Sequence, residues 1–258
     1  MNCKLLLFDL DGTLLRTDKT ISPTTLREIE NCRKLGIMIG VSTSRSKKNC
    51  MGFIAELKPD VVISCAGALV EYKDEYIYKA EFTQEETCVF IAKAREICGK
   101  ECEITVDTVE EHYWNYKIDP RQQDKSWGEC IYTDFTDFRQ ASLKICVEIF
   151  DEKLAEKLQV EFADYDCIRF SDGYWYKFTK KTATKESAIL HMCKASGITT
   201  KDIIAFGDDY ADMGMLKLCG VGVAMGNSID EVKAVADCVI GDNDNDGITE
   251  YLKKEIAR

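Results

Sequence analysis

Asp9 and Asp11 end the apolar run Leu5-Leu6-Leu7-Phe8, so two carboxylates stand where a strand-like segment meets polar chain. On an extended backbone, side chains at i and i+2 point the same way. Carboxylates that close are tolerable when a cation such as Mg²⁺ lies between or beside them. Three other places put polar groups next to apolar segments. Ile37 to Val41 breaks into Ser42-Thr43-Ser44-Arg45, Lys185 opens a helical stretch beside Thr184, and Ile203 to Phe206 runs into Gly207-Asp208-Asp209-Tyr210-Ala211-Asp212. Together these hold a nucleophile pair, hydroxyl donors, one cation and more carboxylates. Moving a phosphoryl group requires a group in line with phosphorus, neutralised equatorial oxygens and proton transfer at the leaving oxygen.

The elements that must position these residues read as a parallel α/β sheet. A run that stays apolar throughout suits a strand covered on both faces, and in open α/β sheets ligands bind at the carboxyl edge. Ser22-Pro23-Thr24 predicts a helix start, with Leu26, Ile29, Cys32 and Leu35 at helical spacing and Gly36 as the stop. A helix from about Lys47 to Leu57 leads to the strand Val61 to Cys65, and Val70 to Lys79 reads as a hairpin that could leave the sheet. After Lys181 the same grammar resumes, with helices at Lys185–Ser196, Met213–Leu218, Ile229–Ala236 and Ile248–Ile256 and strands at Ile203–Phe206, Val221–Met225 and Cys238–Ile240.

Between these halves the texture changes. Glu85 to Ile97 and Asp151 to Ala163 read as helices, Glu103 to Asp107 and Leu143 to Phe150 as strands, and Ser171-Asp172-Gly173 as the turn of a hairpin. Tyr113, Trp114, Tyr116, Trp127, Tyr132 and Phe135 are better explained as packing for a small sheet than as a ligand box. The expected fold class is therefore α/β: a Rossmann-like parallel-sheet core, residues 1–81 and 182–258, with an inserted α/β domain at 82–181.

Composition narrows the partners. A net charge of −11 argues against nucleic acid, whose phosphates call for a basic surface. Thirteen scattered cysteines without a C-x-x-C pair read as small hydrophobes in a reducing cytosol. No segment resembles a signal peptide or is long enough to span a bilayer, so a cytoplasmic protein, monomer or small homo-oligomer, is expected. His112 and His191 carry no partner pattern, Asp209 reads as a helix N-terminal acid, and Asp242, Asp244 and Asp246 read as a surface loop because the distal glutamate of a calcium loop is missing.

The stretch Asp9-Leu10-Asp11-Gly12-Thr13-Leu14-Leu15, with Thr43, Lys185 and Gly207-Asp208 plus Asp212 following in order, resembles the four motifs of the haloacid dehalogenase-like phosphatases. Val221 to Asn227 and Asp246-Gly247-Ile248 resemble the tail of the Cof-type subfamily, which carries its α/β cap between the second and third motifs. The resemblance implies Asp9 as nucleophile, Asp11 as general acid and base, and Lys185 as the charge-offsetting cation. It implies a phosphate site of Thr43, Ser44, Lys185 and Asn227. Mg²⁺ would be held by Asp9, Asp11 through its backbone carbonyl, and Asp208, with Asp212 acting behind them. The implied substrate is a small phosphate ester, first a sugar phosphate. A phosphomannomutase-like transferase and a non-catalytic phosphate-binding protein stay open. Ala66-Gly67 and Ala211-Asp212 stand where Cof-type chains commonly carry Asn-Gly and Asn-Asp, and Ser44 replaces a common glycine.

Overall fold

The computed structural model describes residues 3–116, 130–170 and 173–256; Trp127, Ser171 and Asp172 lie outside them. The chain opens with β1 (Leu5–Phe8), α1 (Pro23–Lys34), β2 (Met38–Ser42), α2 (Lys47–Ile54), β3 (Val61–Ser64), β4 (Leu69–Tyr72) and β5 (Glu75–Lys79). It continues through α3 (Gln84–Cys98), β6 (Ile104–Asp107), β7 (His112–Trp114), β8 (Ile131–Tyr132), β9 (Lys144–Glu148), α4 (Glu152–Glu161), β10 (Tyr165–Arg169) and β11 (Trp175–Lys180). It closes with α5 (Lys185–Ser196), β12 (Ile203–Gly207), α6 (Met213–Leu218), β13 (Val221–Ala224), α7 (Asp230–Val235), β14 (Cys238–Val239) and α8 (Gly247–Glu255). Two compact units result, one of Met1–Arg45, Met51–Tyr78 and Thr184–Arg258, the other of Ser46–Cys50 and Lys79–Ala183.

The first unit is built on an eight-stranded sheet in the order β14-β13-β12-β1-β2-β3-β4-β5. Strands β14 through β3 pair in parallel, and β4 runs antiparallel to β3. The hairpin expected from Val70 to Lys79 does not leave the sheet: β4 and β5 extend it, because Leu69 and Val70 are apolar and bury against β3. Every residue of β1 is fully buried, as a central strand covered by helices on both faces requires. Leu5 and Leu7 pack with Val61, Ile63, Ile189 and Met192, while Phe8 stacks on Phe206 at 4.7 Å. Ser22 caps α1 by accepting from the Thr24 N–H, with Pro23 at the first helical position. All thirteen cysteines are free thiols.

The second unit holds a six-stranded sheet ordered β10-β11-β9-β6-β7-β8, antiparallel except between β7 and β8. Period-two alternation separates its faces. Ile104, Val106, Ile145, Val147 and Phe178 pack against Phe90 of α3 and Leu158 of α4. Tyr113 and Phe135 both pack edge-on against Phe138 and belong to this core as expected, whereas Tyr116 and Tyr132 are exposed and do not. The alternate positions carry most of the polar residues along with Trp114, Cys146 and Trp175, and among them Asp107, His112 and Lys144 stand at paired register positions on three adjacent strands. Asp107 is fully buried; His112 Nδ1 lies 2.6 Å from its Oδ1 and Lys144 Nζ lies 2.9 Å from its Oδ2. Burial alone would raise its pKa, but Lys144 and His112 outweigh burial and hold the carboxyl well below the ordinary range.

Two predictions follow from these packings. A depressed carboxyl contributes stability that is present above its unfolded pKa and lost as pH falls toward the folded one. Asp107→Asn should therefore lower the unfolding free energy by about 3–5 kcal/mol at pH 7 by removing the buried charge that Lys144 and His112 share. The gap to wild type should narrow below about pH 4, where the aspartate of the unfolded chain protonates, as read in urea titrations across pH. Separately, Ala66 sits in the left-handed region (φ 58°) inside a 3₁₀ turn after β3. Ala66→Gly should stabilise by about 1 kcal/mol in the same assay, since a Cβ is disfavoured there.

Candidate active site

β1 and β12 pair in register, Phe8 beside Phe206, so Asp9 and Asp208 emerge close together from neighbouring strand ends. The turn after β1 brings them closer. Gly12 takes φ +79°, and a Cβ there would lie 2.3 Å from Asp208 Oδ2, so no other residue fits without displacing that carboxylate. Thr13 Oγ1 then donates to Asp208 Oδ1 at 2.7 Å. Asn227 Nδ2 donates to the Gly12 carbonyl at 2.7 Å, and its Oδ1 accepts from the Asn243 N–H. Asn227 thus fixes the turn. The acids expected as a surface loop do related work: Asp244 accepts from the Thr17 N–H and hydroxyl, and Asp246 accepts from Arg16 and Thr24.

Lys185 is the first residue of α5, behind Thr184, whose hydroxyl caps the helix by accepting from the Ser187 N–H. The helix start is pressed against the turn after β3. A Cβ on Gly67 (φ +100°) would sit 2.2 Å from the Thr184 carbonyl oxygen, so the absence of a side chain there sets where Lys185 begins. From that anchor the ammonium, only 3% exposed, donates to Asp9 Oδ1 at 2.6 Å, Asp212 Oδ1 at 2.6 Å and the Ser42 carbonyl at 2.8 Å. All three donors of the lysine are used. Asp212 Oδ2 in turn accepts from the backbone N–H groups of Asp208 and Asp209, and Asp209 caps the following turn through the Tyr210 N–H.

One oxygen from each of Asp9, Asp208 and Asp212 lies within 4.8 Å of the others. Burial, with the Asp212 and Asp208 charges, pushes Asp9 up against the pull of Lys185. Burial likewise lifts Asp208 to about 7, reinforced by Asp212 and Asp209 and opposed by the Thr13 hydrogen bond. Lys185 moves the other way: burial disfavours the ammonium, yet Asp212 and Asp9 hold its pKa above the ordinary lysine value. Three carboxylates around one ammonium form an excess of negative charge with oxygen donors only. That donor set fits a hard divalent cation such as Mg²⁺. Both oxygens of Asp212 are engaged by protein donors, so Asp9 and Asp208 are the carboxylates free to hold it.

The Asp11 side chain is elsewhere. It does not share the cluster of Asp9, as spacing on an extended strand implied, because the chain turns immediately after Asp9. Arg45 Nε and Nη2 donate to its two oxygens at 2.6 and 2.8 Å, and Lys19 Nζ donates to Oδ1 at 2.7 Å. Burial acts against the carboxylate, but these two cations outweigh it and keep the Asp11 pKa below the usual value. Neither Arg45 nor Lys19 was singled out by sequence; the adjacency of Arg45 to Ser44 was the available signal. Thr43 is buried and its Oγ1 accepts from the Arg45 N–H at 3.1 Å, while Ser44 is half-buried. Backbone bonds tie this turn to the next strand end, from the Ala66 N–H to the Thr43 carbonyl and from the Cys65 N–H to the Arg45 carbonyl.

Removing the central cation should leave Asp9 and Asp212 buried without compensation. Lys185→Met is expected to cost about 3–5 kcal/mol of unfolding free energy at pH 7 in urea titration. An unchanged midpoint would mean that the three contacts carry little energy.

Residues 6–252 match the haloacid dehalogenase-like hydrolase family. Among similar proteins is the Bacillus subtilis 5-amino-6-(5-phospho-D-ribitylamino)uracil phosphatase YitU, 26% identical over 97% of this chain and 96% of its own. The Escherichia coli pyridoxal phosphate phosphatase YbhA is 26% identical over 98% of both chains. A solved subclass IIB sugar phosphatase superposes with a TM-score of 0.79 at 25% identity, over 97% of this chain and 98% of that one. The paired strand ends, the buried lysine and a match that runs through both halves of the core agree, and the chain belongs to the haloacid dehalogenase-like hydrolases, in their Cof-type phosphatase branch.

Proposed function

We propose that this phosphatase is Mg²⁺-dependent and hydrolyses small phosphorylated metabolites, sugar phosphates first, through an aspartyl-phosphate on Asp9. The observation that carries the reading is the Lys185 ammonium shared between Asp9 and Asp212. It occupies one oxygen of Asp9 and leaves Oδ2 out of that contact as the attacking atom. The names of similar proteins point the same way, toward phosphate esters of small molecules.

In this reading Asp9 Oδ2 attacks phosphorus while the ester oxygen departs with a proton from Asp11. Asp11 then takes a proton from water as it attacks phosphorus, which returns the Asp9 carboxylate and releases inorganic phosphate. The Thr43 hydroxyl and the Ser44 N–H receive the phosphate oxygens, and the Lys185 charge, its three donors already placed, offsets theirs across Asp9. Asp9, Asp208 and the Asp11 backbone carbonyl would hold Mg²⁺, which when bound neutralises charge on those oxygens. Asp212 positions Lys185 and the Asp208 backbone, and Asn227 serves the reaction by holding the Gly12 turn. The inserted unit is read as the cap that selects the substrate.

Inorganic phosphate release from a panel of sugar phosphates, pyridoxal phosphate, nucleotides and an aryl phosphate tests this. Turnover should require Mg²⁺, stop with EDTA, and fall by at least about 10³-fold in Asp9→Asn. Isomerised sugar phosphate without net release would make the protein a transferase. Binding of phosphate and Mg²⁺ without turnover of any ester would make it a non-catalytic module.

A further inference from the structure

Two arginines of the second unit are aimed by backbone and paired with no acid. The ion pairs of that unit among the described residues involve other cations, although the chain carries 45 acidic side chains against 34 basic ones. Arg95 Nη2 donates to the Asp134 carbonyl at 2.6 Å, and Arg139 Nη1 donates to the Phe138 carbonyl at 2.7 Å with Cys88 Sγ 3.9 Å away. A guanidinium has five N–H donors, so each still has donors to give. Arg95 Nε is buried and has no hydrogen-bond partner among the described residues. A buried donor on a charged group is costly to leave unmatched, and such a group marks a place where water or a ligand supplies the missing oxygen.

Both arginines line one cavity of about 730 Å³ between α3 and residues 135–139, a volume in the range of small-molecule sites. Cys88, Ala92 and Arg95 recur at helical spacing, so one face of α3 forms a wall. Ile91, Phe135 and Phe138, buried side chains of this unit's core, give the cavity an apolar floor. Its lining holds one acid, Glu85, and two guanidiniums against one carboxylate leave a single positive charge. A neighbouring cavity of about 680 Å³ also reaches Arg95, but Glu96, Glu101 and Asp134 there outnumber Arg95 and Lys100. An apolar floor with one net positive charge calls for an apolar body with one anionic end, and a planar carboxylate matches the guanidinium fork. We propose that the cavity between α3 and residues 135–139 binds a small carboxylic acid, its carboxylate on Arg95 and Arg139 and its apolar body over Ile91, Phe135 and Phe138. The site belongs to the second unit alone and does not rest on the phosphatase reading.

Titrations of the full chain followed by NMR at the backbone amides of Cys88 and Phe138, which line this cavity and not its neighbour, test the proposal. Phenylacetate is the probe. Acetate supplies the charge without the body and 2-phenylethanol the body without the charge, and each should bind at least about tenfold more weakly, as expected for the loss of a charge-assisted hydrogen bond or of a buried ring. Arg95→Met and Arg139→Met should each weaken phenylacetate by at least about fivefold. Glu85→Gln, at an exposed position, removes the opposing charge and should tighten phenylacetate severalfold, a gain that a poorly folded protein would not show. No shift of those amides with phenylacetate, equal binding of acetate or 2-phenylethanol, a folded arginine variant that binds as wild type does, or no gain in Glu85→Gln overturns the site. Tighter binding of benzylphosphonate than of phenylacetate at the same amides overturns the carboxylate and makes the occupant a phosphate.

Discussion

One ammonium group holds the carboxyl end of the first sheet together. Lys185 reaches from the first turn of α5 to carboxylates on the ends of β1 and of the turn after β12, and to the carbonyl that ends β2. With the lysine in place, Asp9 and Asp212 can share a buried space that their charges would otherwise forbid. The remaining excess of negative charge on Asp9 and Asp208 suits a divalent cation. The rest of the unit serves this arrangement: a covered central strand carries Asp9, a glycine makes room for Asp208, and a second glycine lets the helix start close enough for the lysine to reach.

Much of this was legible because it depends on local pattern. The apolar run before Asp9, the Ser-Pro-Thr helix start, and the small and acidic residues at the ends of β2 and β12 each follow from rules that act over a few residues. The hairpin at Val70 was legible as a hairpin, but its destination was not, since sheet membership depends on what β3 leaves unpaired. The surroundings of Asp11 were likewise hidden. Spacing gave the direction of an extended strand, whereas the backbone turns after Asp9 and sends Asp11 toward a residue thirty-four positions away. His112 showed no partner in sequence because Asp107 meets it only across paired strands. The acidic loop near the C-terminus looked unattached for a similar reason, since its acceptors are filled by Arg16, Thr17 and Thr24 from the other end of the chain.

The two sheets divide their labour in chemical character. In the first unit, polar residues collect at one edge, where each strand contributes a different group and the turns between them fix the spacing. In the second, the face away from the core mixes polar residues with Trp114, Cys146 and Trp175, and Asp107, His112 and Lys144 stand in a row across it. An edge makes a point-like centre suited to one reaction. A face offers many positions that can change one at a time.

The turns after β2 and β3 meet through backbone groups, from Ala66 to Thr43 and from Cys65 to Arg45, and Gly67 meets the start of α5 through backbone again. Such a joint is indifferent to most side chains along it. Ala66, which departs from the residue common at that place, takes part in this lattice through its backbone N–H, a bond that the amide of an asparagine side chain would not supply. The spatial frame of the site can therefore outlast extensive drift of the sequence, and relatives that share only a quarter of their residues can keep one geometry while their ligands diverge.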